Sequence, residues 1–197
     1  MTEAPSPQPG SGRIWTIPNV LSLLRLASIP FFVWLSLKGY FAAAFFFFVG
    51  AALTDALDGW IARRFDQRSR VGTYLDPGAD KMMMVTTYIV YTIPSIAEHR
   101  LPFWLTFTVF IRDLTIVIFA YLLYTRIHVK RFPPNVAGKV STTVQIVALA
   151  ATIGANMFLE PIVAPLLWTF HRAALLMTLV SGFLYIRKWE RVLDESV

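Results

Sequence analysis

The chain has 197 residues, of which 56% are hydrophobic and only 15% charged, with a net charge of +6 and no cysteine. That balance excludes an ordinary soluble domain of this length, a disulfide framework and thiol chemistry. The basic residues sit in short segments between apolar runs, with no polar domain to present a groove; this excludes nucleic acid and favours anionic lipid headgroups and phosphorylated substrates.

In chain order, residues 1–12 are rich in Pro, Ser and Gly and read as a disordered cytoplasmic tail. They lack the cationic start, apolar core and small-residue cleavage site of a signal peptide. Residues 13–19, Arg-Ile-Trp-Thr-Ile-Pro-Asn, read as a short segment lying in the membrane interface, with Trp15 at headgroup depth. Six apolar runs follow, at residues 20–37, 41–61, 74–93, 101–124, 140–158 and 164–186. Each is long enough to cross about 30 Å of hydrocarbon. The expected fold is an all-α integral membrane protein, six transmembrane helices after an N-terminal interfacial segment, forming one domain over residues 13–197.

An even number of spans puts both termini on one side, with the loops after the second and fourth helices. That side collects Arg13, Arg63, Arg64, Arg68, Arg70, Arg126, Lys130, Arg131, Lys139, Arg187, Lys188 and Arg191, against Lys38, Arg100 and Arg172 on the other. The positive-inside rule then places both termini in the cytoplasm of a bacterial-type inner membrane.

The second and third runs carry the chemistry. Asp55 and Asp58 are three residues apart and Asp76 and Asp80 four apart, so each pair lies on one face of its own helix. Four lipid-facing aspartates would cost roughly 10 kcal/mol, so the charges need a partner. Four converging oxygen donors suit a hard divalent cation, Mg2+ or Mn2+. Gly59, Ala62 and Gly72 leave strips of helix almost without side chain, which lets a neighbouring helix, or a ligand's base or phosphate, lie against backbone.

Other polar residues interrupt the apolar background. Arg25, about one turn inside the first helix near Asn19, either snorkels to the interface or binds phosphate. Lys81, directly after Asp80, reads as a structural ion-pair partner ahead of a ligand for substrate phosphate. Arg112 and Asp113 form a deeper, costlier pair in the fourth run, and Lys139 opens the fifth helix, where free amides also favour an anion. Met82, Met83 and Met84 read as packing or lipid contact, and the run from Phe45 to Phe48 as lipid contact. His99, His128 and His171 share no metal-ligand spacing and receive no role.

The sequence Asp55-x2-Asp58-Gly59-x2-Ala62-Arg63-x8-Gly72-x3-Asp76-x3-Asp80 resembles the CDP-alcohol phosphatidyltransferase signature at every fixed position. The segment Ile17-Pro18-Asn19-Val20-Leu21-Ser22-Leu23-Leu24-Arg25 resembles that family's opening to the first helix. Gly138-Lys139 through Gln145 resembles the start of the fifth helix in its phosphatidylglycerophosphate and cardiolipin synthases. The resemblance implies a six-helix bundle, a homodimer, and a cytoplasm-facing cavity where an acceptor hydroxyl attacks CDP-diacylglycerol and CMP leaves. Carried over by position, Asp55, Asp58, Asp76 and Asp80 hold two metal ions per site, Asp80 also acting as general base. Asp55, Asp58, Gly59, Ala62, Arg63 and Gly72 line the nucleotide site. Arg112, Lys139, Asn19 and Arg25 are the candidates for holding the acceptor or its phosphate.

Phosphatidylglycerophosphate synthases of this type have Arg-Glu in the fourth helix and again seven residues on. Here the sequence has Arg112-Asp113 and then Phe119-Ala120, which leans toward the cardiolipin synthase branch and its acceptor, phosphatidylglycerol. The two cations Arg112 and Lys139 also suit glycerol-3-phosphate, which ranks first by a thin margin. A cation-coupled transporter is the distant alternative; it predicts mirrored halves, and the second half has no carboxylate cluster to mirror the first.

Overall fold

A computed structural model describes residues 17–64, 72–127, 136–157 and 163–194; inside its helices, side chains are described except at 17–19, 55–64, 72–77, 80, 120, 123–124, 126–127 and 188–194. The described elements are all helical: α1 (Ile17–Leu37), α2 (Phe41–Arg64), α3 (Gly72–Thr92), α4 (Phe103–Ile127), α5 (Val136–Ala155) and α6 (Val163–Asp194). Among the described residues, Val20–Leu37, Val136–Ala155 and Val163–Arg187 are long and apolar enough to cross a membrane. Their outward faces carry large apolar side chains such as Leu24, Phe31, Leu166, Leu176 and Phe183, all exposed. Large apolar side chains exposed in such number suit contact with lipid rather than water.

Each expected run has its helix, with three differences. Ile17, Pro18 and Asn19 belong to α1 rather than to a separate interfacial segment; proline fits there because a first-turn N–H has no intrahelical acceptor. The rest of that segment, 13–16, and the tail 1–12 lie outside the described residues. α5 starts at Val136, which puts Lys139 in its first turn, and α6 runs on to Asp194. At 32 residues α6 is about 48 Å long, more than the hydrocarbon needs.

The chain divides into two compact units between Val90 and Tyr91. In the first, α1 packs on α2 through a tight turn. The Tyr40 N–H donates to the Leu35 carbonyl (2.9 Å) and the Gly39 N–H to that of Ser36 (3.1 Å), closing α1 with Gly39 at φ 76°. This is the left-handed helix stop that glycine adopts without strain. Gly39→Ala should lower stability by about 1–2 kcal/mol, read as a lower thermal midpoint in detergent, although a methyl there meets nothing within 4 Å. Phe32, Leu35, Ala44 and Phe48 are buried in this unit, Phe32 lying 6.2 Å from Phe48 and 6.4 Å from Phe47. The phenylalanine run is therefore divided: Phe46 is exposed, while Phe48 is core rather than lipid contact. Along α3, Ala79, Met83, Thr87, Val90 and Tyr91 form a buried stripe, with Met84 buried beside it and Met82 exposed.

In the second unit α6 packs against both α5 and α4. The buried face of α5 is Ser141, Gln145, Ala148, Leu149, Thr152 and Ile153, and that of α6 is Leu167, His171, Ala174, Thr178 and Ser181. Both stripes recur at three and four residues, and both mix small with hydrogen-bonding side chains. Small residues let two helices approach closely in a membrane, and paired polar groups fix their register. Gln145 Nε2 donates to Thr178 Oγ1 (2.9 Å), and Thr152 Oγ1 meets His171 Nε2 (2.9 Å).

Candidate active site

The aspartate motif occupies two helix ends that meet the same connection. Asp55, Asp58, Gly59, Ala62 and Arg63 fall in the last turns of α2, which ends at Arg64, and α3 begins at Gly72 and carries Asp76 and Asp80. Helical backbone at all four aspartates puts Asp55 with Asp58, and Asp76 with Asp80, on one face each. The side chains of these residues and of Asn19 lie outside the described ones, and with them the expected convergence of the two carboxylate pairs. Among the described residues no group of three or more His, Asp or Glu side chains forms a metal cluster. The donor chemistry fits the expected cation: four carboxylates and no sulfur or imidazole, on helices that present them in pairs.

Arg112 and Lys139, far apart in sequence, come together. They line one open cavity of about 450 Å³ with Ile116, Gly138, Thr142, Thr143 and Tyr185. The guanidinium of Arg112 donates from Nη1 to Asp113 Oδ1 (2.9 Å) and from Nη2 to Ser181 Oγ (2.6 Å). Its Nε is buried without a hydrogen-bond partner among the described residues. Two glycines lie beside this side chain, where an added methyl would make ordinary van der Waals contact. A methyl on Gly138 would stand 3.4 Å from Arg112 Nη2, and one on Gly182 3.7 Å from Arg112 Cγ. Lys139 is exposed in the first turn of α5, where unpaired helix amides add positive potential. Two described cations line this cavity, Arg112 and Lys139, and Asp113, ion-paired to Arg112, offsets one of them.

Arg25 lines a different cavity, of about 390 Å³, in the first unit with Leu21, Leu24, Ser28, Phe46, Phe47, Gly50, Ala51 and Thr54. It is buried, and two turns rather than one inside α1 because that helix starts at Ile17, so simple snorkelling does not describe it. Lys81 is exposed on α3.

The buried polar groups of the second unit had no role in the sequence reading. Asn156 Nδ2 donates to the His99 carbonyl (2.7 Å) and its Oδ1 accepts from the His99 N–H (3.0 Å), clamping the α3–α4 connection. The signal was available: Ser141, Gln145 and Thr152 share one helix face, as do His171, Thr178 and Ser181.

The sequence profile of the CDP-alcohol phosphatidyltransferases matches residues 15–184. Among individual proteins, the chain is 31% identical to the human cardiolipin synthase (CMP-forming) over 92% of this chain and 65% of that protein. It is 30% identical to the Streptomyces coelicolor cardiolipin synthase (CMP-forming) over 94% of this chain and 87% of the other. It is 39% identical to the Escherichia coli CDP-diacylglycerol–glycerol-3-phosphate 3-phosphatidyltransferase over 69% of this chain and 75% of the other. The chain spans 65% and 64% of the length of the human and rat cardiolipin synthases it matches. With the profile covering most of its residues, the chain belongs to the CDP-alcohol phosphatidyltransferase family.

Proposed function

We propose that the protein transfers a phosphatidyl group from CDP-diacylglycerol to the hydroxyl of phosphatidylglycerol, releasing CMP and forming cardiolipin. The observation that carries the reaction class is the complete aspartate motif, on the last turns of α2 and the first turns of α3. The acceptor reading rests on the charge of the Arg112–Lys139 cavity. Asp113 offsets one of its two cations, and the remaining single positive charge suits the monoanionic phosphodiester of phosphatidylglycerol better than a dianionic phosphate monoester. Relatives named cardiolipin synthase over more than nine tenths of this chain support the same choice. This reverses the sequence ranking, which recognised the Arg112–Asp113 pair but did not subtract its charge from the cations offered to the acceptor. Glycerol-3-phosphate is the second reading, favoured by the Escherichia coli relative.

Asp55, Asp58, Asp76 and Asp80 would hold Mg2+ or Mn2+, two per site, supplying charge neutralisation at the diphosphate and a more acidic acceptor hydroxyl. Gly59, Ala62 and Gly72 would let the nucleotide lie against helix backbone, with Arg63 on a phosphate. Asp80 would take the proton as the acceptor oxygen bonds to the phosphatidyl phosphorus and the bond from that phosphorus to the CMP oxygen breaks. Lys139 and Arg112 would hold the acceptor phosphodiester, the guanidinium locked in orientation by Asp113 and Ser181. Arg25, in an apolar groove, would contact a lipid phosphate from its own cavity; Asn19, in the first turn of α1, would support it.

We place six spans in an inner membrane, in a homodimer, with both termini and the motif on the cytoplasmic side. The chain has no cysteine, so Gln67→Cys gives a single label between α2 and α3. It should react with a membrane-impermeant thiol reagent only after spheroplasts are lysed; labelling of intact spheroplasts would invert the orientation. Offering labelled CDP-diacylglycerol with each alcohol separately tests the acceptor: cardiolipin is expected with phosphatidylglycerol, and product with glycerol-3-phosphate alone would select the second reading.

A further inference from the structure

A cavity of about 540 Å³ opens in the second unit where α3 ends and α4 and α6 begin. Glu98, His99 and Arg100 of the α3–α4 connection line it, with Trp104 of α4 and Trp168 and His171 of α6. None of these belongs to the aspartate motif or to the Arg112–Lys139 cavity.

Its walls are held in place. Asn156 fixes both main-chain groups of His99, the Leu101 N–H donates to the Tyr91 carbonyl (2.8 Å), and Thr152 holds His171. Trp104 and Trp168 stack at 6.3 Å, with the Arg172 guanidinium 5.7 Å over the Trp168 ring. His99 contributes to the wall, and its Nε2 is buried away from the cavity with no hydrogen-bond partner among the described residues.

The lining offers a guanidinium and a carboxylate together, Arg100 and Glu98, both exposed to an entering ligand. A purely anionic group would meet Glu98 unfavourably, whereas a zwitterion satisfies both. The rim is apolar: Phe103 is 71% and Trp168 48% exposed. Indoles in such a position mark the membrane–water boundary, and an apolar rim suits acyl chains rather than a free ion. We propose that this cavity binds the headgroup of a zwitterionic aminophospholipid from the leaflet. Its phosphodiester lies on Arg100, and its ammonium on Glu98 and the indole of Trp104.

This inference rests on the membrane reading but not on the acceptor or on phosphatidyl transfer. The test is lipid retention by the full-length protein purified in detergent, in the absence of CDP-diacylglycerol, read by native mass spectrometry. Phosphatidylethanolamine should be retained in preference to phosphatidylglycerol. Arg100→Gln and Glu98→Gln should each weaken that retention by about tenfold, and Glu98→Gln should not weaken phosphatidylglycerol. Because both side chains are exposed, the variants should keep the thermal midpoint and the CMP-releasing activity of the parent. As a second readout, brominated phosphatidylethanolamine should quench less fluorescence in Trp168→Phe than in the parent. Equal retention of both lipids by parent and variants would overturn the proposal. So would a site that takes inorganic phosphate and retains neither lipid.

Discussion

Asp58→Asn should reduce CMP release by about 10³-fold or more, because removing one carboxylate weakens a charge-neutralising site worth several kcal/mol to the transition state. The substitution keeps size and shape, so the helix content and thermal midpoint of the protein should stay near the parent's. Excess EDTA should abolish turnover of the parent, and Mg2+ or Mn2+ should restore it. Calcium should restore little, since its longer and looser coordination positions phosphate poorly. Near-normal turnover by Asp58→Asn, or in EDTA, would contradict the assignment of these residues to a metal.

Arg112 should show the second large effect, and here structure and chemistry must be separated. Arg112 and Asp113 have side chains only 11% and 14% exposed and lie 2.9 Å apart, so removing one partner leaves a largely buried charge. Arg112→Met should therefore cost about 3 kcal/mol of stability as well as activity. The double variant Arg112→Met, Asp113→Leu removes both charges and should recover most of that stability. It should not recover activity if the guanidinium holds the acceptor. Recovery of turnover along with stability would make the pair purely structural. Lys139→Gln is the milder companion: Lys139 is exposed, so only the KM for the acceptor should rise, by about tenfold, with that for CDP-diacylglycerol unchanged.

The helices were legible because apolar runs of membrane length have few other uses, and each expected run overlaps an observed helix, three of them long and apolar enough to cross a membrane among the described residues. Their ends were less so. Pro18 looked like a boundary before the first span, yet proline is at home in a first turn, and α1 begins at Ile17. α6 continues to Asp194 through charged residues that hydropathy alone would exclude. The aspartate spacing could be read at once, since three- and four-residue intervals become shared faces as soon as the backbone is helical. Around Arg112 the pairing with Asp113 could be read but the contact with Ser181 could not, because Ser181 is 69 residues away and meets it only through the packing of α4 on α6. Nor could the role of His99, whose position depends on Asn156, 57 residues later. Long-range polar pairs leave no local period, only faces that must first be packed.

The most direct measurement of the central claim is CMP release from CDP-diacylglycerol by the purified protein in detergent, with lipid products resolved. With Mg2+ and phosphatidylglycerol, the account predicts one CMP for each cardiolipin formed, both abolished by Asp80→Asn. Absence of CMP release with any alcohol acceptor, from protein that remains folded and supplied with metal, would contradict it.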